Sequence, residues 1–253
     1  MEITTPKHIL VPVDFGDASS RAIRAAGALA WRCDAVLRLL HAEPPDVPAY
    51  FTHDQIDAMH AQRERMRAQC DDYLGRFGRQ HTSHPFATVL DEQSPADAIL
   101  HHADWADLIV MGTHGRHGPR RWWLGSVAER VLRETGRPLL IMRAGDGDDG
   151  LFKRVLVHAS APLVGDDTLR YTRALVDLLG GEVVDGRYEP IDASLKRTGS
   201  TLLAVAAPQP RDAAWLSNIG EPLIRFSTVP TLFVPEPRAA AGGSSTTAHS
   251  GDV

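Results

Sequence analysis

Five short apolar runs lie between His8 and Met142, and their alternation with helix-spaced stretches limits the fold more than any other feature. The runs are HILVPV (8–13), AVLRLLH (35–41), FATVL (86–90), LIVMG (108–112) and PLLIM (138–142). Each is too short for a helix and rich in Val, Ile and Leu, as strands buried on both faces are. Between them the period changes. Ile23, Ala26, Ala30 and Cys33 space like one helix face. Ile56, Met59, Arg63, Met66, Cys70, Tyr73 and Phe77 mark a long amphipathic helix, its stripe read as core packing and its sulfurs as packing atoms. Ser94-Pro95-Ala96-Asp97 supplies an N-cap, a proline at the first helical position and an acid in the first turn. Val127, Ala128, Val131 and Leu132 form the last face, with Gly136 as the expected stop. The fold class expected is α/β, a doubly wound parallel five-stranded sheet covered on both faces.

The pattern then returns in shorter form. After the acidic stretch AGDGDDG (144–150), KRVLV at Lys153–Val157 matches KHILV at Lys7–Val11 at an offset of 146, and Leu175 keeps that offset from Leu29. Further on the offset is 92: Trp215 matches Trp123, Glu221 matches Glu129, Pro230 matches Pro138 and Leu232 matches Leu140. The expected organisation is a domain at 1–143, a linker at 144–150, a shortened copy at 151–237 and a disordered tail at 238–253. The drop in offset assigns the loss to the long amphipathic helix and the strand on either side of it. Both copies keep the fifth run, as RPLLIMR (137–143) and VPTLFVPEP (229–237). An edge strand must be paired or blunted. The expectation is therefore an intrachain pseudo-dimer in which Leu139–Met142 runs antiparallel to Leu232–Val234, with a homodimer through the same edge as the alternative.

Charge and composition narrow the partners. A formal net charge of −5 over 253 residues argues against wrapping nucleic acid. The first residues lack a signal-peptide pattern, and no apolar stretch approaches the ~20 residues that span a bilayer. Two cysteines are too few for a disulfide framework. A cytoplasmic location without membrane contact is expected.

One loop carries the chemistry. MGTHGRHGPRRWWLGSVAERV (111–131) joins the fourth run to its helix through Gly112, Gly115, Gly118 and Gly125, with Arg116, Arg120 and Arg121 among them. Glycines let backbone N–H groups approach an anion, and the helix starting at Ser126 adds its positive end. Asp14 ends the first run. If the first and fourth strands are neighbours, Asp14 and this loop flank one crevice at the carboxyl ends of the sheet, and phosphate suits it. No Gly-Lys-Ser/Thr closes the loop and no Gly-x-Gly-x-x-Gly follows the first strand, so two familiar phosphate motifs are excluded. His114 and His117 stand three apart without a partner cysteine or carboxylate, a poor zinc pattern. His101 and His102 read as helix-surface residues.

The spacing Gly112-x2-Gly115-x9-Gly125-Ser126, with Asp14 after HILVPV and LLHAEP at the second run, resembles the universal stress protein family over residues 5–143. The resemblance implies strand order 3-2-1-4-5 and the ATP-binding branch of the family. Carried over, it implies that Val13 and Ala42 border the adenine, and that Asp14 lies near the ribose or a water-bound Mg²⁺. Met111 and Gly112 line the sugar side, while Gly115, Arg116, Gly125, Ser126 and Val127 hold the phosphates. Asp14 reads as a pocket residue whose removal would spare the core. The second copy departs from the pattern: Ser160 replaces Asp14, Ser217 and Asn218 replace Gly125 and Ser126, and AVAAPQPRDAAWLSN (204–218) has no glycine. Two readings stand. One is an ATP-binding stress or signalling protein, a nucleotide-dependent regulator and at most a slow ATPase. The other is an interaction or scaffold module that no longer binds nucleotide.

Overall fold

The computed structural model describes residues 5–44, 53–113, 125–143, 150–158, 166–186, 190–209 and 227–237. The first five runs are strands: β1 (His8–Pro12), β2 (Val36–Ala42), β3 (Phe86–Asp91), β4 (Leu108–Thr113) and β5 (Leu139–Arg143). Helices α1 (Asp17–Cys33), α2 (His53–His81), α3 (Pro95–Ala103) and α4 (Ser126–Glu134) connect them in turn. The strands lie in the order β3-β2-β1-β4-β5, and each adjacent pair is parallel.

Side chains of each strand divide between two apolar layers, as alternation across a strand requires. Ile9, Val11, Leu37, Leu39, Leu108 and Val110 face the layer that holds α1 and α2. Leu10, Leu40, Ile109, Met111 and Ile141 face the layer that holds α3 and α4. Apolar side chains fill both layers, which accounts for strands with so few polar residues.

The remaining strands are β6 (Arg154–His158), β7 (Glu182–Asp185), β8 (Leu202–Gln209) and β9 (Thr231–Pro237), with α5 (Asp166–Leu179) and α6 (Ile191–Thr198) among them. They continue the same sheet in the order β9-β8-β6-β7, all parallel to one another. This repeats the order β5-β4-β1-β2. The two halves join where β5 meets β9 antiparallel, Leu139 opposite Phe233, Leu140 opposite Leu232 and Ile141 opposite Thr231. The pairing involves the two segments singled out in the sequence, and it removes two edges at once.

Three expectations need correction. The counterpart of β2 is not lost: β7 pairs with β6 in the register by which β2 pairs with β1, Arg154 opposite Glu182 as His8 is opposite Val36. Among the described residues α2, β3 and α4 have no counterpart, and residues 210–226, where that of α4 would stand, lie outside the described residues. Glu182 and Asp185 are exposed and only Val183 and Val184 are half-buried, so four residues held too little apolar signal to be read as a strand.

The stripe of α2 is not a core face. Met66 and Tyr73 are exposed, whereas Leu74 and Gly78 are buried and Cys70 and Phe77 half-buried; Ile56 and Met59 lie outside the described side chains. The helix covers the outer strands β2 and β3 near the sheet edge, and among its described side chains those of the last turns, Leu74 and Phe77, meet the core.

Finally, α4 ends on Thr135 in an extended conformation, with Arg137 N–H donating to its hydroxyl, rather than on a left-handed Gly136. Among the described residues no helix is long and apolar enough to cross a membrane. The linker residues 144–149 and the tail from 238 lie outside the described residues.

Candidate functional site

Helix α1 leaves β1 toward one layer and α4 leaves β4 toward the other, although β1 and β4 are neighbours. The sheet therefore reverses its winding between these two strands, and a crevice opens at their carboxyl ends. A cavity of about 620 Å³ occupies this place. That volume falls in the usual range for a small-molecule pocket, roughly 300–1,000 Å³. Its walls are the ends of β1, β2 and β4 and the first turns of α3 and α4.

Eight of the ten residues expected from the sequence line this one cavity: Val13, Asp14, Ala42, Met111, Gly112, Gly125, Ser126 and Val127. Gly115 and Arg116 lie outside the described residues, as do His114, His117, Arg120 and Arg121. Ser19, His41 and Thr113 join the lining without having been singled out. His41 stood inside LLHAEP, but Ser19 belongs to no motif and only the packing of α1 brings it there.

Two glycines in the wall do different work. A Cβ on Gly112 would sit 2.5 Å from the backbone carbon of Ala18 and 2.6 Å from the amide nitrogen of Ser19. Gly112 thus lets α1 lie against β4, a packing duty beside its place in the lining. Gly125 is the N-cap of α4 at φ −61°, ψ 150°, an extended conformation any residue adopts, and a Cβ there would meet nothing within 4 Å. Among the described residues no atom explains a glycine at this position. Its side makes no capping hydrogen bond, so the first-turn N–H groups of α4 open toward the cavity with the helix's positive end.

Asp14 faces this helix end from β1. Its carboxylate accepts hydrogen bonds from Gly16 N–H at 3.0 Å and from the Ser19 hydroxyl at 2.5 Å, while Asp14 N–H donates to the same hydroxyl. Ser19 is buried. Removing the carboxylate would therefore leave a buried hydroxyl without its acceptor, which corrects the expectation that Asp14 bears only on the pocket. The next residue, Phe15, is held at φ 62°. A bulky residue in the left-handed region is strained by about 1–3 kcal/mol and persists only where its surroundings enforce it. The rings of His41, Tyr73 and Phe77, at centroid distances of 4.6, 4.8 and 5.4 Å, supply that enforcement.

The walls are tied together outside the cavity. Arg130 of α4 donates to Asp97 of α3 at 2.5 Å and also pairs with Glu134. The Ser94 hydroxyl first, and Arg130 second, hold the Asp97 carboxyl below its ordinary range. His102 is not a surface decoration: its Nε2 lies 3.1 Å from Asp91 Oδ2, and both side chains are largely buried. It pins α3 to the end of β3. His101 is exposed as expected.

The description of the Usp family, universal stress proteins, matches residues 5–143. A universal stress protein of Thermus aquaticus is 34% identical over 143 residues, covering 54% of this chain and 98% of the relative. One from Methanocaldococcus jannaschii is 30% identical over 141 residues, 54% of this chain and 82% of the relative. The crystal structure of a universal stress protein from Archaeoglobus fulgidus superposes with a TM-score of 0.64 at 20% identity. It covers 92% of this chain and 97% of its own, a likeness of fold that runs through both halves.

Proposed function

Since the chain belongs to the universal stress protein family, we propose that its first half binds ATP with Mg²⁺ and that the bound nucleotide sets a state read in stress response or signalling. The observation that carries this reading is Gly125, a glycine that packing among the described residues does not require, set at a helix start without a side-chain cap across a cavity from Asp14. A bare helix start suits phosphate, and the missing side chain leaves it room.

In this reading Val13 and Ala42 border the adenine, and Met111 and Gly112 the sugar. Gly125, Ser126 and Val127, with Gly115 and Arg116 of the loop, hold the phosphates. Asp14 meets Mg²⁺ through water, its carboxylate aimed by Gly16 and Ser19. The ion would spread phosphate charge, as in other nucleotide sites. Among the described cavity residues Asp14 is the one carboxylate, and His41 is already engaged with Val13. That set suits retention of a nucleotide better than fast turnover, so the protein acts as a nucleotide-dependent regulator.

The second half is read as a shortened universal stress protein domain that has lost the nucleotide residues and caps the β5 edge. Both cysteines are free, which supports a cytoplasmic reading.

Titration of the purified chain with Mg-ATP tests the site. Asp14→Asn keeps an acceptor for Gly16 and Ser19 but removes the charge, so it should weaken Mg-ATP by at least ~tenfold, or ~1.4 kcal/mol, with the melting temperature of the free protein unchanged. Full affinity in that variant would remove Asp14 from the site. No binding by the wild type would leave the scaffold reading in its place.

A further inference from the structure

His41, which also lines the cavity, and Glu43 and Cys70 beyond it offer an imidazole nitrogen, a carboxylate oxygen and a sulfur that all lie within 4.8 Å of one another. We propose that these three residues bind one divalent transition-metal ion of the zinc class, beside the cavity on the α2 side of the sheet.

The strand pattern brings the set together. Leu37 and Leu39 of β2 point into the layer under α2, and alternation carries His41 and Glu43 to the same side. Glu43 continues the ladder by donating its N–H to Asp91 O at 2.9 Å. Along this face the chain turns from leucine to ligand-bearing residues at the carboxyl end, where α2 presents Cys70. The stripe that placed Cys70 among core residues fails here, since Met66 and Tyr73 on either side of it are exposed.

The histidine is prepared for a metal. Its Nδ1 lies 2.7 Å from Val13 O. A carbonyl only accepts, so Nδ1 carries the proton and Nε2 keeps a lone pair. Metal-binding histidines are ordinarily oriented by such a bond from their other nitrogen. The Phe15 ring at 4.6 Å fixes the plane of the imidazole.

The donor set names the metal class. Thiolate and imidazole favour zinc-like ions over Mg²⁺ or Ca²⁺, which take oxygen. Zinc bonds of about 2.0–2.3 Å put tetrahedral ligand atoms roughly 3.5 Å apart. The ligand atoms stand within 4.8 Å of one another, and Glu43 is exposed and has rotamers with which to close the set. Thiolate and carboxylate together balance a charge of +2, and half-exposure of the cluster gives the ion a way in.

The test is a titration of the full-length, reduced chain with Co²⁺ alone. The expected result is one equivalent per chain, a thiolate-to-cobalt charge-transfer band, visible bands of a tetrahedral site, and displacement by Zn²⁺. Cys70→Ser should abolish the charge-transfer band, and Glu43→Gln should weaken binding by more than ~tenfold. Glu43 is exposed just after β2 and Cys70 is half-buried on α2, and an unchanged circular dichroism spectrum and melting temperature should show that each variant folds. Asp14→Asn should leave the band intact, which separates this site from the Mg-ATP reading. A wild-type titration without the band, several weak equivalents, or a band that survives Cys70→Ser would overturn the proposal.

Discussion

Replacing Gly125 and Gly112 by alanine, one at a time, separates a glycine kept for a ligand from a glycine kept for packing. At Gly125 the backbone is extended and a new methyl meets no atom of the described residues within 4 Å. The gain of about 0.4–1 kcal/mol from a narrower unfolded ensemble is offset by alanine's poorer N-capping, a loss of similar size. The free melting temperature should therefore stay within roughly 2 °C of wild type. The same methyl stands in the proposed phosphate path and should weaken Mg-ATP by ~tenfold or more, ~1.4 kcal/mol. At Gly112 the methyl would lie 2.5 and 2.6 Å from backbone atoms of α1, which no rotamer change can relieve. The overpacking should cost about 1–3 kcal/mol or more, a fall of several degrees. Differential scanning fluorimetry with and without Mg-ATP reads both effects. Gly125→Ala should leave the free melting temperature nearly unchanged and lose most of the ligand-induced shift. A fall of several degrees in Gly125→Ala with a full ligand shift would refute the reasoning, because Gly125 would then serve the fold and not the phosphates.

Other outcomes follow from single contacts. Asp14→Ala, unlike the asparagine variant, deprives the buried Ser19 hydroxyl and Gly16 N–H of their acceptor, so it should cost about 1–3 kcal/mol in the free protein; a melting temperature equal to that of Asp14→Asn would contradict this. Burial lowers the His158 pKa against a weaker opposing hydrogen bond to Gly186 O. As pH falls below about 6.5 the unfolded chain takes a proton that the folded chain resists, so stability declines with acid. His158→Gln should therefore lose less melting temperature than wild type between pH 7.5 and 5.5, and parallel losses would clear His158 of the effect. Leu140→Cys with Leu232→Cys should cross-link within one chain, because these residues are opposed across β5 and β9; cross-links formed only between chains would displace that pairing.

How much was legible depended on the signal each element carried. β1, β2, β4 and β5 were readable because most of their residues are buried and apolar, and the half-buried edge strand β3 because it keeps Phe86, Val89 and Leu90. Asp14 and Gly125 were readable because a parallel sheet binds ligands at one kind of place, and the motif put both there. β7 was missed because it borders the sheet, buries little and is four residues long. The face of α2 was misread for a related reason: its period is sound, but of its described side chains Met66 and Tyr73 are exposed while Leu74 and Phe77 reach the core, and sequence spacing does not report how far a helix overhangs a sheet edge. Cys70 beside His41 joins residues 29 positions apart on different elements, which no local pattern reveals. Ser19 and the strained Phe15 belong to a turn whose shape is set by rings from β2 and α2.

Counting nucleotide on the intact protein tests the central claim most directly. Native mass spectrometry of the purified chain with saturating Mg-ATP should show one nucleotide per chain, held by the first half, and denaturation should release an adenine nucleotide. Two nucleotides per chain would contradict the account of the second half, and none would contradict the account of the site.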